Sequence, residues 1–311
     1  MSLADELSEL LNISRDSAYR RMRGETVLSL DEVRILSNRY AVSLDALLSP
    51  AAETVSFQVK SMNQEDFTLE KWMASISGYL DMLTSFPETD KELLYDSKDL
   101  PIFHFFQFPR LAAFKLYFWM KAFSRESRSD SEKYHQNLVR SELTTAGERI
   151  WDKYARLPST EIIRYEMLTV TLRQIEYMHE SGMFRDHEEA RNLCDDCTTL
   201  TSHLQLQAKM GTKVTFGQDH GGAKLVLYLN DLLIGSNTIL FKMGSRRITV
   251  ITPNNFDLLT TSHEPFCQLT ESHINNLIDK SVLISMTAEK ERNKFFNQME
   301  KMTQELRARL V

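Results

Sequence analysis

Four turn and cap signals, Asn12, Ser14, Gly24 and Ser29, punctuate the start of this chain and constrain it to short helices. Apolar residues at Leu3, Leu7, Leu10 and Leu11 recur at helical spacing and halt at Asn12, a residue that tolerates the left-handed turn conformation. Ser14 can cap the run Arg15 to Arg23, and Gly24 ends it. Ser29 with Glu32 forms a capping box for a third helix carrying Leu30, Val33, Ile35, Leu36 and Tyr40, and Ser43 opens a fourth from Leu44 to Leu48. Helices this short bury little surface singly, so the segment can fold only as a compact bundle.

The chain has 311 residues, too many for one core, which predicts a small head and a large body. Only 10 Gly and 7 Pro leave few turns and favour long helices. A net charge of −6 argues against coating nucleic acid through bulk electrostatics, which needs a surplus of Lys and Arg to displace counterions. Any DNA contact must therefore be local. Three cysteines form no disulfide framework, no secretory leader opens the chain, and no apolar run reaches the roughly 20 residues of a membrane span. The expected location is a reducing cytoplasm, with no membrane partner.

Residues 3–14, 15–24, 29–33 and 42–48 together resemble the phage-repressor (Cro/CI, XRE) class of helix-turn-helix domain. The resemblance is carried by Ser8 at the helix crossing, Asn12 in the turn, Ser14 as cap, Ala18 and Met22 facing inward, and Gly24 closing the second helix. In that class the second helix enters the major groove with its N-terminal residues on base edges. The resemblance thus implies a transcription regulator in which Arg15, Asp16, Ser17, Tyr19 and Arg20 face bases while Arg23 holds phosphate. Arg suits base reading because its planar fork can engage guanine O6 and N7 together. Two departures stand out. The family fold begins with a helix ahead of the one at Leu3, expected here to be missing or supplied by another segment. Arg21 falls where the family usually buries an apolar residue.

Residues 50–55 lack periodicity and contain Pro50, as a linker would. In the body, Val55, Phe57 and Val59 alternate like a short strand, and Asp66 to Phe86 reads as an amphipathic helix. The aromatic stretch Pro101 to Pro109 leads into a helix ending near Phe123. It supplies Phe103, His104, Phe105, Phe106 and Phe108 as candidates for an apolar ligand pocket, with core packing the commoner use of such a pattern. A charged loop, 124–133, precedes three helices expected over 134–156, 159–181 and 185–209. The period then changes: Lys224–Leu229, Thr238–Met243 and Arg247–Ile251, with Phe256–Thr260 as a fourth, read as a meander of antiparallel strands. Helices over 264–280 and 288–310 close the chain.

The expected fold class is therefore mainly α with a small antiparallel sheet (α+β). The divisions are a head over 1–49, a linker over 50–55, a helical domain over 56–210 and an α+β region over 211–311, the last either separate or one unit with the helical domain. Phe295, Met299, Met302, Leu306 and Leu310 follow one another at three- and four-residue steps, nearly a heptad seam, and are candidates for a homodimer contact or for packing onto the body.

Catalytic signatures are not found. Cys194 and Cys197 have the spacing of a metal pair, but no second pair follows and only His203 is near, so no metal or cofactor is expected. The turn bearing Asp219 and His220 lacks the strand-before, helix-after setting of a phosphate loop, and these two would be first suspects were the body an enzyme. The expected partners are double-stranded DNA, a second copy of the chain and an unidentified small-molecule or peptide effector, with a protein-binding adaptor as the alternative.

Overall fold

The computed structural model describes residues 2–40, 44, 54–61, 67–87, 90–123, 133–218, 221–232 and 236–310. Residues 45–48 of the fourth helix expected over 44–48, most of the linker, residues 124–132 of the charged loop expected over 124–133, and Asp219 with His220 lie outside them. The chain forms two compact units, Met1–Gln58 and Val59–Val311.

The first unit contains α1 (Leu3–Leu11), α2 (Arg15–Met22) and α3 (Leu30–Tyr40). Each start has its expected cause: Ser2 and Asp5 form a reciprocal capping box on α1, and the Ser14 side chain accepts from Ser17 N on α2. Asn12 takes the left-handed conformation at φ 52° and turns the chain between them. Glu32 accepts from Ser29 N at 2.8 Å, and Ser29 Oγ accepts from Glu32 N at 3.2 Å.

The boundary falls within β1 (Gln58–Lys60), which in chain order is followed by α4 (Leu69–Thr84), β2 (Lys91–Asp96), the single turn α5 (Ile102–Phe105), α6 (Pro109–Phe123), α7 (Ser141–Ala155) and β3 (Ser159–Ile163). There follow α8 (Thr169–Glu180), α9 (His187–Met210), β4 (Thr212–Val214), β5 (Gly221–Leu229), β6 (Thr238–Met243), β7 (Arg246–Ile251) and β8 (Leu258–Thr261). The last elements are α10 (Glu264–Ile278), β9 (Val282–Leu283) and α11 (Glu289–Arg309).

The strands make one nine-stranded mixed sheet in the order β1-β8-β7-β6-β2-β3-β5-β4, with β9 also on β5. This corrects the expectation of a small antiparallel sheet. The meander β6-β7-β8 is antiparallel, but β2, β3 and β5 run parallel to one another, and β2 and β3 separate β5 from β6. Strands β2 and β3 arise within the stretch expected to be helical, so residues 56–210 and 211–311 share one sheet. The physical reason lies in burial: all five residues of β3 and the last four of β2 are buried, so neither shows the alternation that betrays a half-exposed strand. Ser159 and Thr160, at the start of the helix expected over 159–181, are instead ladder residues of β3.

Register divides the sheet into two faces. Leu93, Ser159 and Leu225 are paired neighbours across β2, β3 and β5, as are Tyr95, Glu161 and Leu227. That face meets the thick helical layer of α4 and α6–α9 with α11, while Leu94, Ile162 and Leu240 on the other meet α10 through Cys267, Ile274 and Leu277. Glu161 therefore sits at the centre of the sheet, facing the main core.

Candidate functional site

Alanines decide how α1 and α2 meet. Ala4 and Ala18 are buried at the crossing, and Ser8 Oγ donates to the carbonyl of Ile13 at 2.5 Å, fixing the turn. With about 100° per residue, Arg15, Tyr19, Arg23, Asp16 and Arg20 occupy an arc of about 140° on the opposite side of α2. All five are exposed, and Ser17, half-buried, bonds through its hydroxyl to Ser14 Oγ at 2.9 Å. Met22, expected to face inward, lies at the margin of the arc and is 46% exposed. Arg21 points inward instead, with its guanidinium 2.8 Å from Glu32 and donating to Ser17 O at 3.3 Å.

Two of the arc's four charged side chains stand in ion pairs among the described residues. Arg15 lies 3.1 Å from Asp5 and over the Tyr19 ring, and Arg23 lies 2.6 Å from Glu25, raising the pKa of the guanidinium and holding the Glu25 carboxyl below its ordinary value. These are exposed pairs, weak enough for a phosphate or base edge to displace. Arg20 has no ion-pair partner among the described residues.

In the body, Phe103, His104, Phe105, Phe106 and Phe108 are all buried. They are spent on packing: Phe103 stacks on Tyr154 with centroids 4.4 Å apart, and Phe108 meets Phe216 at 5.0 Å. The seam residues of α11 are used similarly. Phe295, Met299, Leu306 and Leu310 are buried in the core formed with α8 and α9, with Met302 partly buried beside them, so this apolar face is already covered by its own chain.

Sequence reasoning missed a polar centre around Glu161. His104 Nε2 lies 2.9 Å from Glu161 Oε2, and the Tyr154 and Ser159 hydroxyls donate to Oε1. Lys213 from β4 rests 3.6 Å from the centre of the Tyr154 ring and donates to the carbonyls of Tyr154 and Leu157. All five side chains are buried. Burial pulls the Lys213 ammonium down to about 7, against the opposing effect of Glu161. A carboxylate, an imidazole, a phenol and an amine thus share a site closed to solvent. A glutamate within Ser-Thr-Glu-Ile-Ile was the signal, hidden because that segment reads as a helix start.

A second network crosses the carboxyl ends of the parallel strands: Arg164 donates to Asp96 and to the Ser97 carbonyl, both at 2.6 Å, and Lys115 lies 2.7 Å from Asp99. Cys194 and Cys197 lie buried in α9, where burial pushes the first thiol up to about 12 and the second well above its ordinary value, so neither offers a thiolate. Among the described residues no cluster of metal-ligating side chains occurs, and no helix is long and apolar enough to cross a membrane. Comparison with family models, with curated proteins and with solved structures finds no match for this chain.

Proposed function

We propose that the chain is a sequence-specific, DNA-binding transcription regulator whose head reads the major groove of double-stranded DNA through α2. The observation that carries this reading is the exposed arc of Arg15, Asp16, Tyr19, Arg20 and Arg23 opposite the buried Ala18, behind the Ser14 cap. The tight turn at Asn12 and the small residues at the crossing support it, since a second helix can be presented to a groove only if the first packs closely behind it. Arg20, which makes no close ion pair among the described residues, is the residue best disposed to a guanine edge. The regulator would act as a homodimer on two-fold sites, using a contact other than the α11 seam, and the body would sense a small-molecule or peptide effector.

Selection of preferred duplexes from a random library by the full chain, followed by anisotropy titration over a range of salt, tests the proposal. Arg20→Ala is expected to cost about 1–3 kcal/mol on the preferred site and to relax preference at one base pair. No enriched sequence, or unchanged preference in both Arg15→Ala and Arg20→Ala, overturns it.

One observation favours the alternative of a protein-binding adaptor. Val27 and Leu30 are 89% and 80% exposed on the same small head, an apolar surface suited to a protein partner. Failure of the DNA selection together with a stoichiometric complex that Leu30→Asp abolishes would favour that reading.

A further inference from the structure

At the carboxyl end of β2, where its parallel pairing with β3 gives way to antiparallel pairing with β6, a cavity of about 60 Å³ opens under α4 and α6. In open sheets with parallel strands, ligands gather in crevices beyond the carboxyl ends of those strands. Its walls include Trp72, Trp119 and Tyr95, and its polar lining includes Asp99, Asn237 and Asn255. The acidic group is already neutralised: Asp99 faces the Lys115 ammonium at 2.7 Å, and its other oxygen accepts from Leu100 N at 2.8 Å.

Several donors here are unspent. Asn237, held in the left-handed region at φ 49°, accepts from Lys98 N through Oδ1 and from Thr252 through its carbonyl, and its amide NH₂ has no partner among the described residues. Among the described residues the Tyr95 hydroxyl and the Asn255 side chain also have no hydrogen-bond partner. Burial, with the Asp99, Glu161 and Asp96 carboxylates nearby, raises the Tyr95 pKa and keeps that hydroxyl a donor. The indole nitrogens of Trp72 and Trp119 are buried without partners, although both rings stand edge-to-face on Phe256 and spend part of their polarity there.

We infer that this cavity binds the carbonyl or amide end of a small, uncharged molecule, flat enough to lie between the aromatic walls and accepting hydrogen bonds from Tyr95 and Asn237. An anion is disfavoured because the Asp99 carboxylate lines the space, and a cation because Lys115 already holds that carboxylate. The inference stands apart from the head's reading of DNA.

Two of the chain's three tryptophans, Trp72 and Trp119, line the cavity, so tryptophan emission reports its occupancy. The full chain is titrated with acetamide, nicotinamide, hydantoin and cyclohexanone, and with acetate, benzoate and methylammonium as charged controls, with saturation-transfer NMR as a second readout. At least one uncharged probe should saturate and shift the emission, and Tyr95→Phe should weaken it about fivefold, the loss of about one hydrogen bond, without lowering the thermal midpoint of the free protein. Asn255→Ala should weaken it similarly, and filling the space by Ile76→Phe should abolish it. Absence of any saturable uncharged probe, tighter binding of a charged control, or binding indifferent to both Tyr95→Phe and Ile76→Phe overturns the inference.

Discussion

Arg21 on α2 and Glu32 on α3 are joined by a guanidinium–carboxylate contact of 2.8 Å between side chains that are mostly shielded from solvent, whereas in the unit's other ion pairs among the described residues the arginine is exposed. Glu32 also caps α3 through Ser29 N, so one carboxylate both starts a helix and holds the neighbouring one. Losing Arg21 leaves the cap but unties the helices. Arg21→Ala should speed amide hydrogen exchange throughout α2 in the full chain, whereas Arg34→Ala, which removes an exposed contact of 3.7 Å to Asp31, should change it little. Equal effects would show that the tie contributes nothing.

The α11 seam is core, and its removal should behave as core loss does. Phe295→Ala is expected to destabilise the body by about 3–5 kcal/mol in urea unfolding, because a buried ring leaves a cavity that its neighbours fill only in part. The loss should not depend on protein concentration. A concentration-dependent midpoint that the substitution abolishes would reassign the seam to an interface between copies.

Two helical glycines should respond oppositely to alanine. At Gly147 an added Cβ would stand 2.6 Å from Cδ1 of Phe106, a ring locked in the core, so Gly147→Ala should cost about 1–3 kcal/mol. At Gly78 on α4 nothing lies within 4 Å, and Gly78→Ala should gain about 0.5–1 kcal/mol from helix propensity. Chemical denaturation of the two variants measures both.

Lys213 should make stability depend on pH in the alkaline direction. Its ammonium falls from an ordinary 10.5 to about 7 on folding, so between those values the unfolded chain binds the extra proton and stability rises with pH. Below about 7 the penalty is fully present. Lys213→Met removes the titrating group and should flatten the stability profile between pH 7 and 10, a difference on the order of a few kcal/mol across that window. An unchanged slope would mean that the lysine keeps an ordinary affinity for protons, as it would if water reached it.

The sequence by itself determined the elements whose signals are local. The caps at Ser14 and Ser29, the left-handed turn at Asn12 and the turn-linked strands β6, β7 and β8 depend on residues close together in the chain, and they form where that chemistry predicts. The outward arc of α2 was legible for the same reason, since helical periodicity assigns faces once a single inward residue, Ala18, is known. Met22 was misjudged because neighbouring helices, not periodicity, decide what happens at the margin of a face.

Only the tertiary structure decided the centre of the body. Strands β2 and β3 are covered on both faces, so their sequences carry no alternation, and their parallel partners lie across helical crossovers. The aromatic run Phe103 to Phe108 and the seam of α11 have compositions that serve a pocket or an interface as well as a core, and burial within the chain separates these uses. Glu161, His104, Tyr154 and Lys213 come from four separate elements, and Tyr95, Trp72 and Trp119 from three, with Asn237 just ahead of β6. Such groups acquire a chemistry only when folding brings them together and removes the water between them, a condition that sequence separation conceals.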